Sequence, residues 1–186
     1  MQPLPQKYGS VAIFLHWLMA AGLALLVPLG LLSASLDESD AATRAILALH
    51  KSIGITIFGL VWLRALWRLT HPAPPLPSDM RAIMRRAAAV THFMLYAIVF
   101  VMPVTGYIAV AARGRDTTYF GLFDVPQWVP LDRVLALNAQ TAHDLGQYVL
   151  YALLAAHIGA AAFHRYVLKD QITSRMWPGR QAGGRS

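Results

Sequence analysis

Three of the seven histidines in this chain, His143, His157 and His164, lie in one apolar stretch, AHDLGQYVLYALLAAHIGAAAFHRYVL, over residues 142–168, at intervals of fourteen and seven residues. A neutral imidazole ligates transition metals, and its proton exchanges near pH 7. On an α-helix, fourteen positions return a side chain to within about 40° of its starting direction and about 21 Å further along the axis. His143 and His157 therefore share a face, separated by most of the thickness of a hydrocarbon core of about 30 Å. Ionisable groups inside a membrane span are costly and functional by default. The pattern points to two stacked cofactors, each needing a second ligand from elsewhere in the chain.

The elements that would position such ligands follow from composition. Of 186 residues, 56% are hydrophobic and 13% charged, against roughly a quarter charged in soluble domains. The apolar residues are clumped: residues 11–32 and 87–112 carry no formal charge, 46–63 only Lys51, and 145–168 only Arg165. Each run approaches the ~20 residues a helix needs to cross a bilayer. The sequence predicts an all-α integral membrane protein, a single four-helix bundle over residues 1–186 with transmembrane helices at about 11–32, 46–67, 87–112 and 143–168. An ordered outer loop is expected at 113–142, since Tyr119, Phe120, Phe123, Pro126, Trp128 and Pro130 suit an interfacial cap. A polar tail, frayed at GRQAGGRS, is expected at 169–186, and an amphipathic surface segment at 80–88. Ser33-Ala34-Ser35 imitates a signal-peptidase site, but the preceding run is long and carries His16 and Trp17, so helix one is expected to be retained. No internal repeat strong enough to argue from is visible in the residue order.

The net charge of +7 is explained by topology. Eleven of the sixteen basic residues, Lys7, Arg64, Arg68, Arg81, Arg85, Arg86, Arg165, Lys169, Arg175, Arg180 and Arg185, flank one side of the four spans, while seven of the nine acids lie on the other. The positive-inside bias then puts both termini and the second connection in the cytoplasm, and no nucleic-acid partner is expected. The absence of cysteine excludes disulfides, thiolate metal sites and haem attachment through a Cys-x-x-Cys-His motif.

With that topology His50, opening helix two, lies at the depth of His143, and Gly54 one turn on leaves room for a flat macrocycle. His16 lies about 8 Å from the cytoplasmic end of helix one; its possible partners are His157, His164 and His92. Depth alone favours His164. Spacing favours His157, because a twenty-one-residue interval from His143 would set two irons about 31 Å apart against about 21 Å for fourteen. The small residues of LAAHIGAAAF would also make room for a porphyrin. Haem b suits such imidazole pairs; no HExxH motif is present, and carboxylates are scarce in the spans, which disfavours a zinc enzyme or a metal-ion transporter.

The HW of helix one, HKSIG opening helix two, the HPAPP connection, and HD followed fourteen residues after its histidine by AAHIGAAAFHRYVLKD resemble the prokaryotic cytochrome b561 family, related to the cytochrome b subunits of hydrogenase and formate dehydrogenase. The resemblance covers essentially the whole chain. It implies a bacterial inner-membrane bundle holding two haem b groups, an outer one between His50 and His143 and an inner one between His16 and His157. It also implies electron transfer from a small periplasmic donor, in some members superoxide, to ubiquinone, and so a membrane oxidoreductase among membrane lipid. An alternative within the resemblance is a cytochrome b anchor subunit of a larger hydrogenase or dehydrogenase.

Other residues carry weaker expectations. His92 and His164, near the cytoplasmic ends of helices three and four, are candidate quinone contacts, with Arg165 beside them. Lys51, next to His50, is the candidate donor-side residue, able with Arg113, Arg115 and Arg133 to focus an anionic donor. His71, before Pro72, reads as a turn residue, and Trp62, Trp67 and Trp128 read as interfacial anchors.

Overall fold

In the computed structural model of the chain, residues 7–37, 39–77 and 80–178 are described. Residues 1–6 and the expected frayed end at 179–186 lie outside that range. Four helices, α1 (Ser10–Ser35), α2 (Ala41–Thr70), α3 (Ala82–Ala111) and α4 (Arg133–Ala162), are each long and apolar enough to cross a membrane. At 1.5 Å per residue even α1, with 26 residues, reaches about 39 Å. Two capping carboxylates set the starts of α2 and α4: Asp40 accepts from the Ala42 N–H at 3.2 Å, and Asp132 accepts from Val134 and Leu135 at 2.8 and 2.9 Å. Pro28 and Pro103 sit inside α1 and α3, where neighbouring helices can answer the freed backbone groups.

The helices form two hairpins, α1 against α2 and α3 against α4, joined along α2 and α3. Their common core is Met19, Ile57, Val61, Val99 and Leu150. Gly22 admits Ile57, since a Cβ there would come within 2.7 Å of its Cδ1. Large apolar side chains such as Phe14, Leu25, Phe93, Leu145 and Ile158 point outward, as expected where the solvent is lipid.

The loop expected over 113–142 is shorter. Helix α4 begins at Arg133 rather than near His143. The polar side chains of Gln140, Thr141 and Asp144 hide its opening turns from a hydropathy reading, yet Ala136 and Ala139 are buried. Gln140 both accepts from Arg113 and donates to Asp144. The segment at 80–88 likewise runs directly into α3.

Between Ala112 and Asp132 lies a small antiparallel hairpin, β1 (Thr118–Tyr119) and β2 (Phe123–Asp124), with Thr118 opposite Asp124 and Tyr119 opposite Phe123. Its turn has positive φ at Phe120 and Gly121, 48° and 71°, and Leu122 N–H closes on the Tyr119 carbonyl at 2.9 Å, within a three-residue connection between the paired Tyr119 and Phe123. The loop is clamped to α2 between Lys51 and Thr56. Lys51 Nζ donates to the Asp116 carbonyl at 3.0 Å, buried Ser52 Oγ accepts from Phe120 N–H at 2.9 Å, and Thr56 meets the Tyr119 hydroxyl at 3.1 Å. This end of the bundle is called the hairpin end below.

At the opposite, tail end, α4 passes into a π-helical turn, Phe163–Leu168, and the chain reverses at Lys169 in the left-handed region. The described part of the polar tail is folded. Arg175, 3% exposed, donates to the Pro74 carbonyl at 2.7 Å and accepts from Tyr8 N–H through its own carbonyl. Trp17 donates to the Met176 carbonyl at 2.8 Å and packs edge-on against Trp177.

Candidate cofactor sites

At the hairpin end, His50 of α2 and His143 of α4 face each other with ring centres 6.4 Å apart and planes at 84°. Each ring is held from behind in the same manner. His50 Nδ1 lies 3.0 Å from the Leu26 carbonyl of α1, and His143 Nδ1 lies 2.9 Å from the Met102 carbonyl of α3. A carbonyl has no proton to give, so both Nδ1 atoms donate and both Nε2 atoms keep their lone pairs. Ligating histidines are oriented in this way in metal sites. Glycine makes the approach possible: a Cβ at Gly30 would meet His50 Cε1 at 2.8 Å, and one at Gly106 would meet His143 Cε1 at 3.0 Å.

At the tail end, His16 of α1 and His157 of α4 face each other at 6.1 Å and 75°. His92 of α3 packs edge-on against His157, with ring centres 5.2 Å apart. Trp17 packs edge-on against His16 at 5.7 Å. Arg64 of α2 donates to the carbonyl of Ala12, one turn before His16 on α1, at 2.7 Å.

Two imidazoles ligating one metal from opposite sides, each nitrogen about 2 Å from it, have ring centres about 6 Å apart. Both facing pairs meet that requirement. Among the described residues α1 and α4 share no extended seam, although their histidines point at each other. Gly54, one turn after His50, and Gly159, beside His157, have open space where a Cβ would stand. Nor do three or more His, Cys, Asp or Glu side chains converge anywhere among the described residues as a bare metal ion would need. Pairs of opposed imidazoles with small neighbours fit the axial ligation of a flat, apolar macrocycle such as haem.

The remaining expected residues are dispersed. His164 Nδ1 is bound by Asp170 Oδ2, whose other oxygen accepts from Ile172 N–H, so that this histidine ties the tail to α4. Arg165 is exposed in the π-helical turn. His71 caps α2, stacked on Trp67 at 3.8 Å, as a turn residue would be. Reading the sequence missed Gly30, Gly106 and Arg64 as parts of the sites. A signal for them does exist: His16 to Gly30, His92 to Gly106, His50 to Arg64 and His143 to His157 are all fourteen residues apart.

A family model described as prokaryotic cytochrome b561 matches residues 7–179. Cytochrome b561 homolog 2 of Escherichia coli (strain K12) is 33% identical over 173 residues, 92% of either chain. Cytochrome b561 homolog 1 of the same organism is 26% identical over 175 residues, 94% of this chain and 99% of its own. A probable superoxide oxidase of Yersinia pestis, CybB, is 30% identical over 177 residues, 93% of this chain and 97% of its own.

Proposed function

This chain belongs to the prokaryotic cytochrome b561 family, a multi-pass bacterial membrane cytochrome b that carries electrons, and from that premise we propose that it binds two haem b groups and passes electrons from a periplasmic donor, superoxide, to ubiquinone. The observation that carries the proposal is the presence of two facing imidazole pairs, His50 with His143 and His16 with His157, whose α4 members stand about 21 Å apart along the helix. Haem, when bound, supplies one-electron chemistry that no side chain here can.

The chain's own residues hold and orient. The Leu26 and Met102 carbonyls hold the Nδ1 atoms of His50 and His143 and so leave their Nε2 lone pairs free. The clamped hairpin closes over α2 just beyond His50. Lys51, which donates to the Asp116 carbonyl, draws an anionic donor to this end. The basic residues grouped at the tail end support a cytoplasmic position for that end. There the exposed ring of His92, in contact with His157, offers a quinone headgroup a hydrogen-bonding partner. Arg165 is an exposed second candidate, whereas His164 is engaged by Asp170. The balanced reaction takes two superoxide anions, one ubiquinone and two protons to two dioxygen molecules and one ubiquinol.

Stopped-flow visible absorption of the purified protein tests this reading. Superoxide should reduce the haem bands within the mixing experiment, and added ubiquinone should reoxidise them with two superoxides consumed per quinol formed. Bands reduced by quinol but untouched by superoxide would contradict the proposed donor and direction.

A further inference from the structure

The two hairpins of the bundle repeat one another at the positions that matter for its chemistry. Leu26, Gly30 and His16 on α1 correspond to Met102, Gly106 and His92 on α3, with the same spacing and, for the first two residues of each set, the same contact to a histidine of the partner helix. On α2 and α4, His50 corresponds to His143. Arg64 then corresponds to His157. The repeat therefore gives the hairpin end two equivalent histidines, but at the tail end it places a guanidinium where symmetry would put an imidazole.

The surroundings of the two ends differ in charge as a result. At the hairpin end, Lys51 adjoins His50 and Asp144 adjoins His143 in the chain, two charges of opposite sign. At the tail end Arg64 is partly buried, and its donor contact is the neutral Ala12 carbonyl. Among the described residues no carboxylate is within ion-pair distance of it; Asp170, an acid of this end, is taken up by His164 and Ile172. Arg68, one turn further out on α2, adds a second positive charge at this end. A charge inside a membrane span is weakly screened by water or salt, and a guanidinium does not lose its proton in proteins.

We propose that Arg64 is the residue that sets the direction of electron flow, its charge favouring the reduced form of a haem held by His16 and His157 over that of a haem held by His50 and His143. Adding an electron to a site lowers its charge by one unit, which a fixed neighbouring cation stabilises. A haem held by His16 and His157 would then have the higher reduction potential, and would accept one electron from a haem held by His50 and His143. The inference rests on the two-haem reading above.

Redox titration of the purified protein, followed by visible absorption, tests it without any turnover. The wild type should show two one-electron waves, and His157→Ala, which removes a tail-end ligand, should keep the lower wave alone. Arg64→Gln should move the upper wave downward by at least a tenfold change in the equilibrium between the haems, about 59 mV for one electron, while the lower wave stays in place. Arg64→Met, neutral and of similar reach, carries the same expectation should the glutamine variant fail to assemble, and Arg64→Lys should leave both waves near their wild-type positions. Neutral variants with unmoved waves, equal movement of both waves, or the same downward shift in Arg64→Lys would overturn the proposal. A wild type with fewer than two waves would instead contradict the two-haem reading itself.

Discussion

Replacing His143 with alanine should reduce the haem content of the purified protein from two groups per chain to one and block electron transfer from the hairpin end. The side chain is part of a built arrangement: its Nδ1 faces the Met102 carbonyl, its ring lies against Gly106, and its other edge faces His50 at 6.4 Å. Without it His50 would have to ligate alone. Loss of a partner that merely orients a ligand costs roughly 10–100-fold in metal affinity, and removing the ligand itself costs more. The fold has little reason to follow. His143 lies near the middle of α4, whose start is held by the Asp132 cap and whose packing includes Ala136, Ala139 and Leu150. Haem extracted and counted per chain, with circular dichroism as the fold control, gives the result; two haems and an unchanged low-spin spectrum in His143→Ala would remove His143 from the site.

The second large effect should come from two residues with no chemistry of their own. In the combined variant Gly30→Ala and Gly106→Ala, each new methyl group would stand 2.8 and 3.0 Å from an imidazole carbon, closer than side-chain carbons pack. The rings would be pushed off the Leu26 and Met102 carbonyls, and with them would go the constraint that keeps Nε2 free. A loss of haem affinity at the hairpin end of about 10–100-fold is expected, although alanine is the better helix former by about 0.5–1 kcal/mol per site. The two effects have opposite signs, so a protein as stable as the parent but poor in hairpin-end haem is the distinctive outcome. Gly59→Ala, where nothing lies within 4 Å of the new Cβ, should change neither quantity. Full haem content in the double variant would mean that the close ring-to-helix approach is dispensable.

The four spans were legible because unbroken apolar runs of bilayer length leave few alternatives, and the facing of His16 with His157 and of His50 with His143 followed from matched depth, a fourteen-residue interval and the family resemblance. What stayed hidden was of three kinds. Backbone acceptors such as the Leu26 and Met102 carbonyls have no side-chain signature, so nothing in the sequence marked Gly30 and Gly106 as seats for a ring. The beginning of α4 was masked by the polar residues Gln140, Thr141 and Asp144: Gln140 links Arg113 to Asp144, and Thr141 donates back to the Leu137 carbonyl. The third kind concerns single residues whose obvious role concealed another. Arg64 was counted as a topology charge because basic residues near span ends usually are, and only its place opposite His157 in the repeated hairpins marks it out. His164, level with the other intramembrane histidines in sequence, meets Asp170 because a π-helical turn and a left-handed Lys169 bring the tail back, a reversal that no periodicity announces.

The central claim is that one chain holds two haems, each between two histidines. The most direct test is the haem-to-chain ratio of the purified wild-type protein, measured together with its low-temperature electron paramagnetic resonance spectrum. Two haem b groups per chain, both low-spin with two nitrogen ligands, are expected. A ratio of one or less, or a high-spin signal showing that one iron has a single protein ligand, would contradict it.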